Sequence, residues 1–332
     1  MSNPLRIGIL GAARITRRAL IEPAAERDDV ILAAVAARDR RRAEEFAATH
    51  GIATVLDSYD DVVDSPDLDA VYIPLPASHH AHWSVRALQA GKHVLVEKPF
   101  AANAAEARQV ADVASTSSTV LMEAFHYRYH ALLARLQEML ALGLVGAVTD
   151  VSATFNISMP DRTNIRYQLP LGGGATMDLG CYPIHLVRTL MGAEPEVVSA
   201  SARTVEGGQV DEALEAHLQF HGGITSTIRS SLLEDKEEQT ARITGTLGTI
   251  DVVNFVHPQA GNKITLMLED GATTEEVPQQ PSSYAAQLAA FVAAVRDGVG
   301  VPTGPADSVA NMEVLDAMYR AAGLEPRPAT ML

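Results

Sequence analysis

The chain opens with short runs of β-branched and other apolar residues: LRIGIL (5–10), VILAAVA (30–36), DAVYIPL (69–75), KHVLVE (92–97) and TVLMEA (119–124). Longer stretches with helical periodicity separate them. Apolar runs of this length read as strands buried on both faces, and their alternation with helices implies right-handed crossovers and a parallel sheet. The first third is therefore a doubly wound α/β domain, placed at residues 1–124. Beyond it the pattern changes. A helical stretch at 131–142 leads into the alternating run AVTDVSATFNIS, a glycine-rich loop and another helix. Residues 195–278 hold the strand-like runs EALEAHLQF, ITSTIRSSLL, TARITGTLGTIDVV and KITLMLED, bounded by HGG, GN and DG turns. Consecutive hairpins of this kind predict a large open, mainly antiparallel sheet in a C-terminal α+β domain, residues 125–332. Two helices, near 282–297 and 306–322, close the chain, and they can pack back on the first domain.

Composition adds exclusions. With 332 residues the chain exceeds the size of one ordinary core, in keeping with two domains. A single cysteine excludes a disulfide framework and any cysteine-rich zinc or iron–sulfur site, and points to a reducing compartment. No apolar run reaches the roughly 18 residues of a membrane span, and the N-terminus has no signal-peptide pattern, so a cytoplasmic protein without a membrane partner is expected. The 41 acidic and 26 basic side chains give a net charge of −15, which disfavours nucleic acid as a partner. That charge is uneven: residues 1–42 carry nine arginines and five acids, a balance of +4 against −19 for the remainder.

The basic segment contains GILGAARITRRAL, directly after the first strand. In a dinucleotide-binding turn, glycines allow a tight bend and close approach to a pyrophosphate lying over the following helix N-terminus. Read as G-x-G-x-x-G, the positions are Gly11, Ala13 and Thr16, so only the first glycine is present, and strand-turn-helix context strengthens a weak motif. Gly11, Ala13, Arg14 and Ile15 are the candidate pyrophosphate contacts. At the end of the second strand, VAARDRRR places Ala37 where an NAD site wants a carboxylate, followed by Arg38, which suits a 2′-phosphate. NADP(H) is the preferred coenzyme. NAD(H) stays open, because Asp39 could accept from a ribose hydroxyl if the strand ran longer.

Seven segments in order, GILGAARI, AARD…RAEEFAATHGI, DAVYIPLPASHH…W, AGKHVLVEKPF, LMEAFHYRYH, GGGATMDLGCYPIHL and NMEVLDAMYRAAG, cover nearly the whole chain. This pattern resembles the Gfo/Idh/MocA oxidoreductases, particularly the branch of dihydrodiol dehydrogenases, xylose dehydrogenases, glucose-fructose oxidoreductase and sugar ketoreductases. The resemblance implies an N-terminal Rossmann domain, a C-terminal domain for substrate binding and oligomerisation, and a homodimer or homotetramer through the C-terminal sheet. It also implies an NAD(P)-dependent dehydrogenase or reductase acting on CH–OH groups of a carbohydrate-like small molecule. Carried over by residue, the resemblance makes Lys98 of the EKP segment the catalytic lysine, beside Glu97 at the coenzyme. Leu75, Pro76 and His80 lie along the coenzyme, with Ala77 replacing the family's usual asparagine, and Arg166 reaches towards it. His126, Tyr127 and Arg128 border the substrate pocket.

In GGGATMDLGCYPIH a helix is expected to begin near Met177, with Asp178, Tyr182 and His185 on nearly one face. Pro183 favours a late helix start. Much of the family has histidine where Tyr182 stands. A phenol with an ordinary pKa near 10 needs a cation such as Lys98 to work as a base near neutrality. Tyr182 is therefore the expected general acid/base, Lys98 its electrostatic partner and a substrate contact, and Asp178 the residue that orients the substrate hydroxyl. His185 is either a further substrate contact or a core histidine. His79, His80, His82, His126 and His130 raise the question of a metal, but no ligand motif accompanies them and none is expected. A dinucleotide sensor without chemistry is the alternative class, and the presence of Lys98, Asp178 and Tyr182 argues against it. Aldoses, nucleotide-linked ketosugars, inositols and trans-dihydrodiols all remain open as substrates.

Overall fold

The computed structural model describes residues 3–206, 208–278 and 281–329, so the outer bounds of the two expected domains, residues 1 and 332, lie outside the described residues. The chain divides into two compact units. The N-terminal unit runs to Phe125 and takes in Tyr284–Val309, and the C-terminal unit comprises His126–Ser283 and Ala310–Pro328.

The N-terminal unit alternates β1 (Leu5–Leu10), α1 (Glu22–Ala25), β2 (Val30–Ala36), α2 (Arg40–His50), β3 (Thr54–Val55), α3 (Tyr59–Asp64), β4 (Ala70–Ile73), α4 (His80–Gln89), β5 (His93–Val96), α5 (Ala104–Ser115) and β6 (Leu121–Glu123). All six strands are parallel in the order β3-β2-β1-β4-β5-β6. The winding direction reverses between β1 and β4, and in such sheets ligands bind beyond the carboxyl ends of the strands at that reversal. Asp39, Ser58 and Asn103 cap α2, α3 and α5 through their side-chain oxygens. The strands β4, β5 and β6 are shorter than their apolar runs, because the ends of those runs turn away as loops. The two-residue β3 is too short to leave a periodic signal.

The C-terminal unit begins with α6 (Ala131–Ala141) and β7 (Val148–Ser158) and continues through α7 (Cys181–Met191). There follow β8 (Glu196–Thr204), β9 (Asp211–Gln219), β10 (Thr225–Ser231), β11 (Leu233–Gly245), β12 (Gly248–Val253), β13 (Lys263–Leu268) and β14 (Thr273–Glu276). Their sheet runs β14-β13-β12-β11-β7-β10-β9-β8 and is antiparallel except where β10 lies parallel to β7. The helices α8 (Ser283–Asp297) and α9 (Pro305–Ala321) follow. Along β9 buried and exposed residues alternate, as expected of a sheet covered on one face. α7 packs against β7 and β10 on that face.

A buried ion pair organises the approach to α7. Asp211 and Arg327 are both fully buried and bonded to each other. Arg327 also donates to the carbonyls of Gly173 (2.6 Å) and Gln209 (3.0 Å) and lies over the Tyr319 ring, 4.1 Å from its centroid. The second oxygen of Asp211 accepts from the backbone N–H and the hydroxyl of Thr176, both at 2.7 Å. Tyr319 donates its hydroxyl to Asp211 at 2.9 Å, and burial holds that phenol well above its ordinary pKa. Gly174 adopts φ +140°, and a Cβ there would overlap Asp211, Arg327 and Tyr319. Only glycine lets the backbone pass so close to the pair. Replacing Arg327 by leucine should cost about 3 to 5 kcal/mol, because the Asp211 carboxylate is left buried without its cation. Urea unfolding of the variant measures it, and a loss under about 1 kcal/mol would mean that the pair does not hold this region.

Candidate active site

Parallel pairing brings the ends of β1, β2, β4 and β5 to one edge of the N-terminal unit. There β1 is followed by Gly11, whose φ of +111° and backbone bond to the Ala36 carbonyl (2.7 Å) turn the chain sharply. A Cβ at Gly11 would come within 3.0 Å of Leu75, so the absent side chain allows the close approach of the β1 and β4 loops. Ala13 and Ile15 are half-buried and Arg14 is exposed in the following turn. The helical segment after it contains a wide turn, Arg17–Ile21, before α1. Thr16, at the position of the motif's third glycine, is fully buried.

The arginines after β2 divide by partner. Arg40 pairs with Glu44 and Asp57, and Arg41 with Glu45. Arg42 donates to the Ala12 carbonyl at 3.3 Å, which ties α2 to the glycine turn. Arg38 is exposed and has no acidic partner among the described residues. Asp39, the alternative ribose acceptor, accepts the backbone N–H groups of Arg41 (3.0 Å) and Arg42 (3.4 Å) as the cap of α2. One carboxylate oxygen, Oδ1, takes both bonds. Tyr59 and His79 also sit beside Arg38. Burial raises the Tyr59 phenol, opposed by its bond to the Arg38 backbone, and burial chiefly lowers His79, with His82 and Arg38 adding to the effect.

The β4 and β5 loops are joined by His80. Its ring is buried, with Nδ1 2.7 Å from the Pro99 carbonyl and Nε2 2.7 Å from the Leu75 carbonyl. The sequence places this side chain along the coenzyme; the structure engages both its ring nitrogens with main-chain carbonyls, so it orders the loop that carries Leu75 and Pro76. Glu97 is likewise buried and accepts the Tyr72 hydroxyl at 2.6 Å. Lys98 follows, half-buried beyond the end of β5, and the Lys98–Pro99 bond is cis.

In the C-terminal unit the glycine loop passes into a wide helical turn, Thr176–Gly180, which continues as α7. The sequence expects a regular helix from about Met177; the extra residue in this turn is the difference, and such turns recur at functional sites. Asp178 lies in the wide turn and accepts from Arg166 Nε. Asp178 is the main cause of a raised Arg166 pKa, and Asn164 holds the same guanidinium at 3.3 Å. Arg166, expected to reach a coenzyme, is thus engaged by Asp178. Tyr182, in the first turn of α7, is buried among Phe155, Tyr127 and His126, with ring centroids 5.7, 5.9 and 6.0 Å away. His185 is fully buried, its Nδ1 2.5 Å from the Tyr127 hydroxyl, and Arg128 is half-buried. Asn311 donates to the Cys181 carbonyl at 3.2 Å and accepts from Arg188 at 3.3 Å, which fixes α7 from α9. Among the described residues, no group of three or more His, Cys, Asp or Glu side chains is placed to hold a metal ion. No helix among them is long and apolar enough to cross a membrane.

Comparison with known proteins places this geometry. Residues 5–125 match an oxidoreductase family with an NAD-binding Rossmann fold, and residues 133–251 match the GFO/IDH/MocA C-terminal domain. The chain belongs to the Gfo/Idh/MocA oxidoreductase family. This family member is 36% identical over 321 residues to a D-xylose 1-dehydrogenase (NADP(+)) of Haloferax volcanii, with 96% of this chain and 97% of the relative covered. It is 36% identical to a dTDP-3,4-didehydro-2,6-dideoxy-alpha-D-glucose 3-reductase of Streptomyces violaceoruber, covering 96% of each chain. A solved 3-ketoreductase from Actinomadura kijaniata, in complex with TDP-benzene and NADP, superposes with a TM-score of 0.89 at 29% identity, covering 96% of this chain and 98% of that one. Structures of that enzyme include a tyrosine-to-phenylalanine and a lysine-to-alanine variant.

Sequence reading missed Tyr59, Asp211 and Arg327 because no local motif marks them, and Tyr319 because nothing in its segment points to its partners. Their relevance comes from contacts across long stretches of chain. His79 and Arg42 stood within segments that were singled out, but their neighbours become visible only in three dimensions.

His80 generates a pH prediction. A neutral ring carries one N–H and can donate to only one of its two carbonyls, while protonation would place a cation in a dry site beside Lys98. Burial dominates and drives the pKa from the ordinary 6.5 down to about 4, with the two carbonyls pulling upward. Between those values the unfolded chain binds the extra proton, so stability falls as pH drops from about 6.5 to 4. Urea titrations should find this slope reduced in His80→Gln; an unchanged slope would show that the imidazole does not contribute.

Proposed function

We propose that this protein is an NADP(H)-dependent oxidoreductase that interconverts a secondary alcohol or hemiacetal and a carbonyl on a sugar, sugar derivative or related polyol. The observation that carries the reading is the phenol of Tyr182, buried among aromatic rings in a helix whose approach is fixed by the Asp211–Arg327 pair. Fixed placement of a proton-transfer group is what such a reaction asks of a protein. The coenzyme supplies or accepts the hydride. Residues at the carboxyl edge of the parallel sheet suit it: the turn at Gly11 carries no Cβ to block a pyrophosphate, and exposed Arg38 offers a guanidinium to a 2′-phosphate.

In this reading Tyr182 gives a proton to the developing alkoxide during reduction and takes one from the hydroxyl during oxidation. Lys98 stabilises the phenolate and contacts the substrate, and Asp178, steadied by Arg166, orients the substrate hydroxyl. Tyr127 and Arg128 border the pocket. The relatives' names support sugars as the substrate class, and the variants solved for the Actinomadura enzyme support attention to one tyrosine and one lysine. The C-terminal unit serves substrate binding and assembly of a homodimer or homotetramer in the cytoplasm. Exposed Val198 on β8 and Val253 on β12 support the sheet as the surface for that assembly.

Tyr182→Phe should lower kcat by about 10²- to 10⁴-fold while the NADPH dissociation constant stays within twofold. Near-normal turnover in that variant would end the assignment. Arg38→Ala should weaken NADPH about 10- to 100-fold and leave NADH nearly unchanged, as measured by fluorescence titration; an unchanged preference would return Arg38 to the surface. A fluorescence screen of NADPH and NADH formation or oxidation over aldoses, ketosugars, nucleotide-linked ketosugars and inositols tests the substrate class. Tight NADPH binding with no turnover across that panel would instead favour a dinucleotide sensor.

A further inference from the structure

Behind the Tyr182 phenol lies a chain of polar groups within the C-terminal unit. Tyr182 Oη is 3.5 Å from His126 Nε2, His126 Nδ1 is 2.8 Å from Ser283 Oγ, and Ser283 Oγ is 2.9 Å from Gln259 Oε1. His126 and Ser283 are both buried. One fixed donor sets the hydrogens at Ser283 and on the His126 ring. The backbone N–H of Ser283 points at the same Gln259 atom, 3.4 Å away, and an amide N–H can only donate, so that atom is the carbonyl oxygen. The Ser283 hydroxyl therefore spends its hydrogen on Gln259 and accepts from His126 Nδ1–H. A neutral His126 then has its lone pair on Nε2, facing the phenol. The Tyr182 hydroxyl, 3.5 Å away, can donate to that lone pair.

We propose that His126 is the proton-holding partner of Tyr182, a positioning residue that acts on the substrate through the phenol. In oxidation, the substrate O–H bond breaks and a new O–H bond forms at Tyr182. The phenol's own O–H bond breaks, and an N–H bond forms at His126 Nε2. The proton lost by the alcohol is balanced by the imidazolium, whose Nδ1–H stays on Ser283. In reduction the same protons move in reverse. The inference rests on Tyr182 being the general acid/base.

Within this unit the His126 ring meets the Tyr182 phenol and the His257 ring, both titratable. The His257 ring stacks on it at 5.6 Å, and Glu237 lies 3.4 Å behind His257. An ordinary imidazole titrates near 6.5 and an ordinary phenol near 10. Oxidation needs neutral His126, so its kcat/KM should fall on acidification. Reduction needs the charged ring and should fall on the alkaline side.

The test pairs kinetics with spectroscopy. In His126→Gln the imidazole limb of both pH profiles should vanish and kcat at pH 7 should drop about 10- to 100-fold, with NADPH affinity unchanged. Ser283→Ala, which leaves the ring in place but removes the acceptor of its Nδ1–H, should move the limb to lower pH in both profiles and keeps the inference testable if the glutamine variant does not fold. In the full-length protein without coenzyme, ¹⁵N NMR should find His126 protonated on Nδ1 and bare on Nε2, the signal being assigned by its loss in His126→Gln. An Nε2–H tautomer, or pH profiles unchanged in both variants while Tyr182→Phe is inactive, would overturn the relay alone. Normal turnover in Tyr182→Phe would overturn the reading beneath it.

Discussion

The buried contact between Asp211 and Arg327 is the constraint on which the C-terminal unit's site depends. Two charges without solvent interact strongly, but their desolvation is offset only when the remaining donors and acceptors are also satisfied. Here the guanidinium reaches two backbone carbonyls and an aromatic face, while the carboxylate takes the first N–H and the hydroxyl of the helical segment beginning at Thr176. The glycine loop is drawn against the pair, the wide turn starts from it, and α7 emerges with Asp178 and Tyr182 in place. The rigidity of this region comes from groups that are themselves fully buried.

The N-terminal unit reaches the same end by other means. Its parallel sheet gathers four loop starts at one edge, and the loops are then tied by backbone contacts. Gly11 closes on Ala36, Arg42 on Ala12, and His80 bridges Leu75 and Pro99. Charge is distributed by competition. Arg40 and Arg41 pair with neighbouring acids, whereas Arg38 and Arg42 have no acidic partner among the described residues. The basic balance of the first 42 residues therefore overstates the charge on offer at the site.

Much of the fold was legible along the chain because burial on both faces leaves continuous apolar runs. β1 and β2 coincide with LRIGIL and VILAAVA, and the later alternating runs correspond to an antiparallel sheet. The parallel pairing of β10 with β7 was not legible, since alternation reports which face is buried and not which strand lies alongside. Lys98 and Tyr182 stood out by segment resemblance and by residue type. The engagement of Arg166 by Asp178 and of His80 by two carbonyls did not, because a side chain's partner depends on where the rest of the chain brings its polar groups.

The sequence by itself determined the alternation of strands and helices, the turn at Gly11, the family pattern and the identities of the chemically able side chains. These are carried by local periodicity, by backbone sterics and by residues adjacent in order. Only the tertiary structure decided which of those side chains are committed elsewhere, which carboxylate holds the glycine loop, and which ring faces the Tyr182 phenol. Hydrogen bonds and buried charges are satisfied by proximity in space, and Asp211 with Arg327, or His126 with Ser283, are brought together by packing across more than a hundred residues.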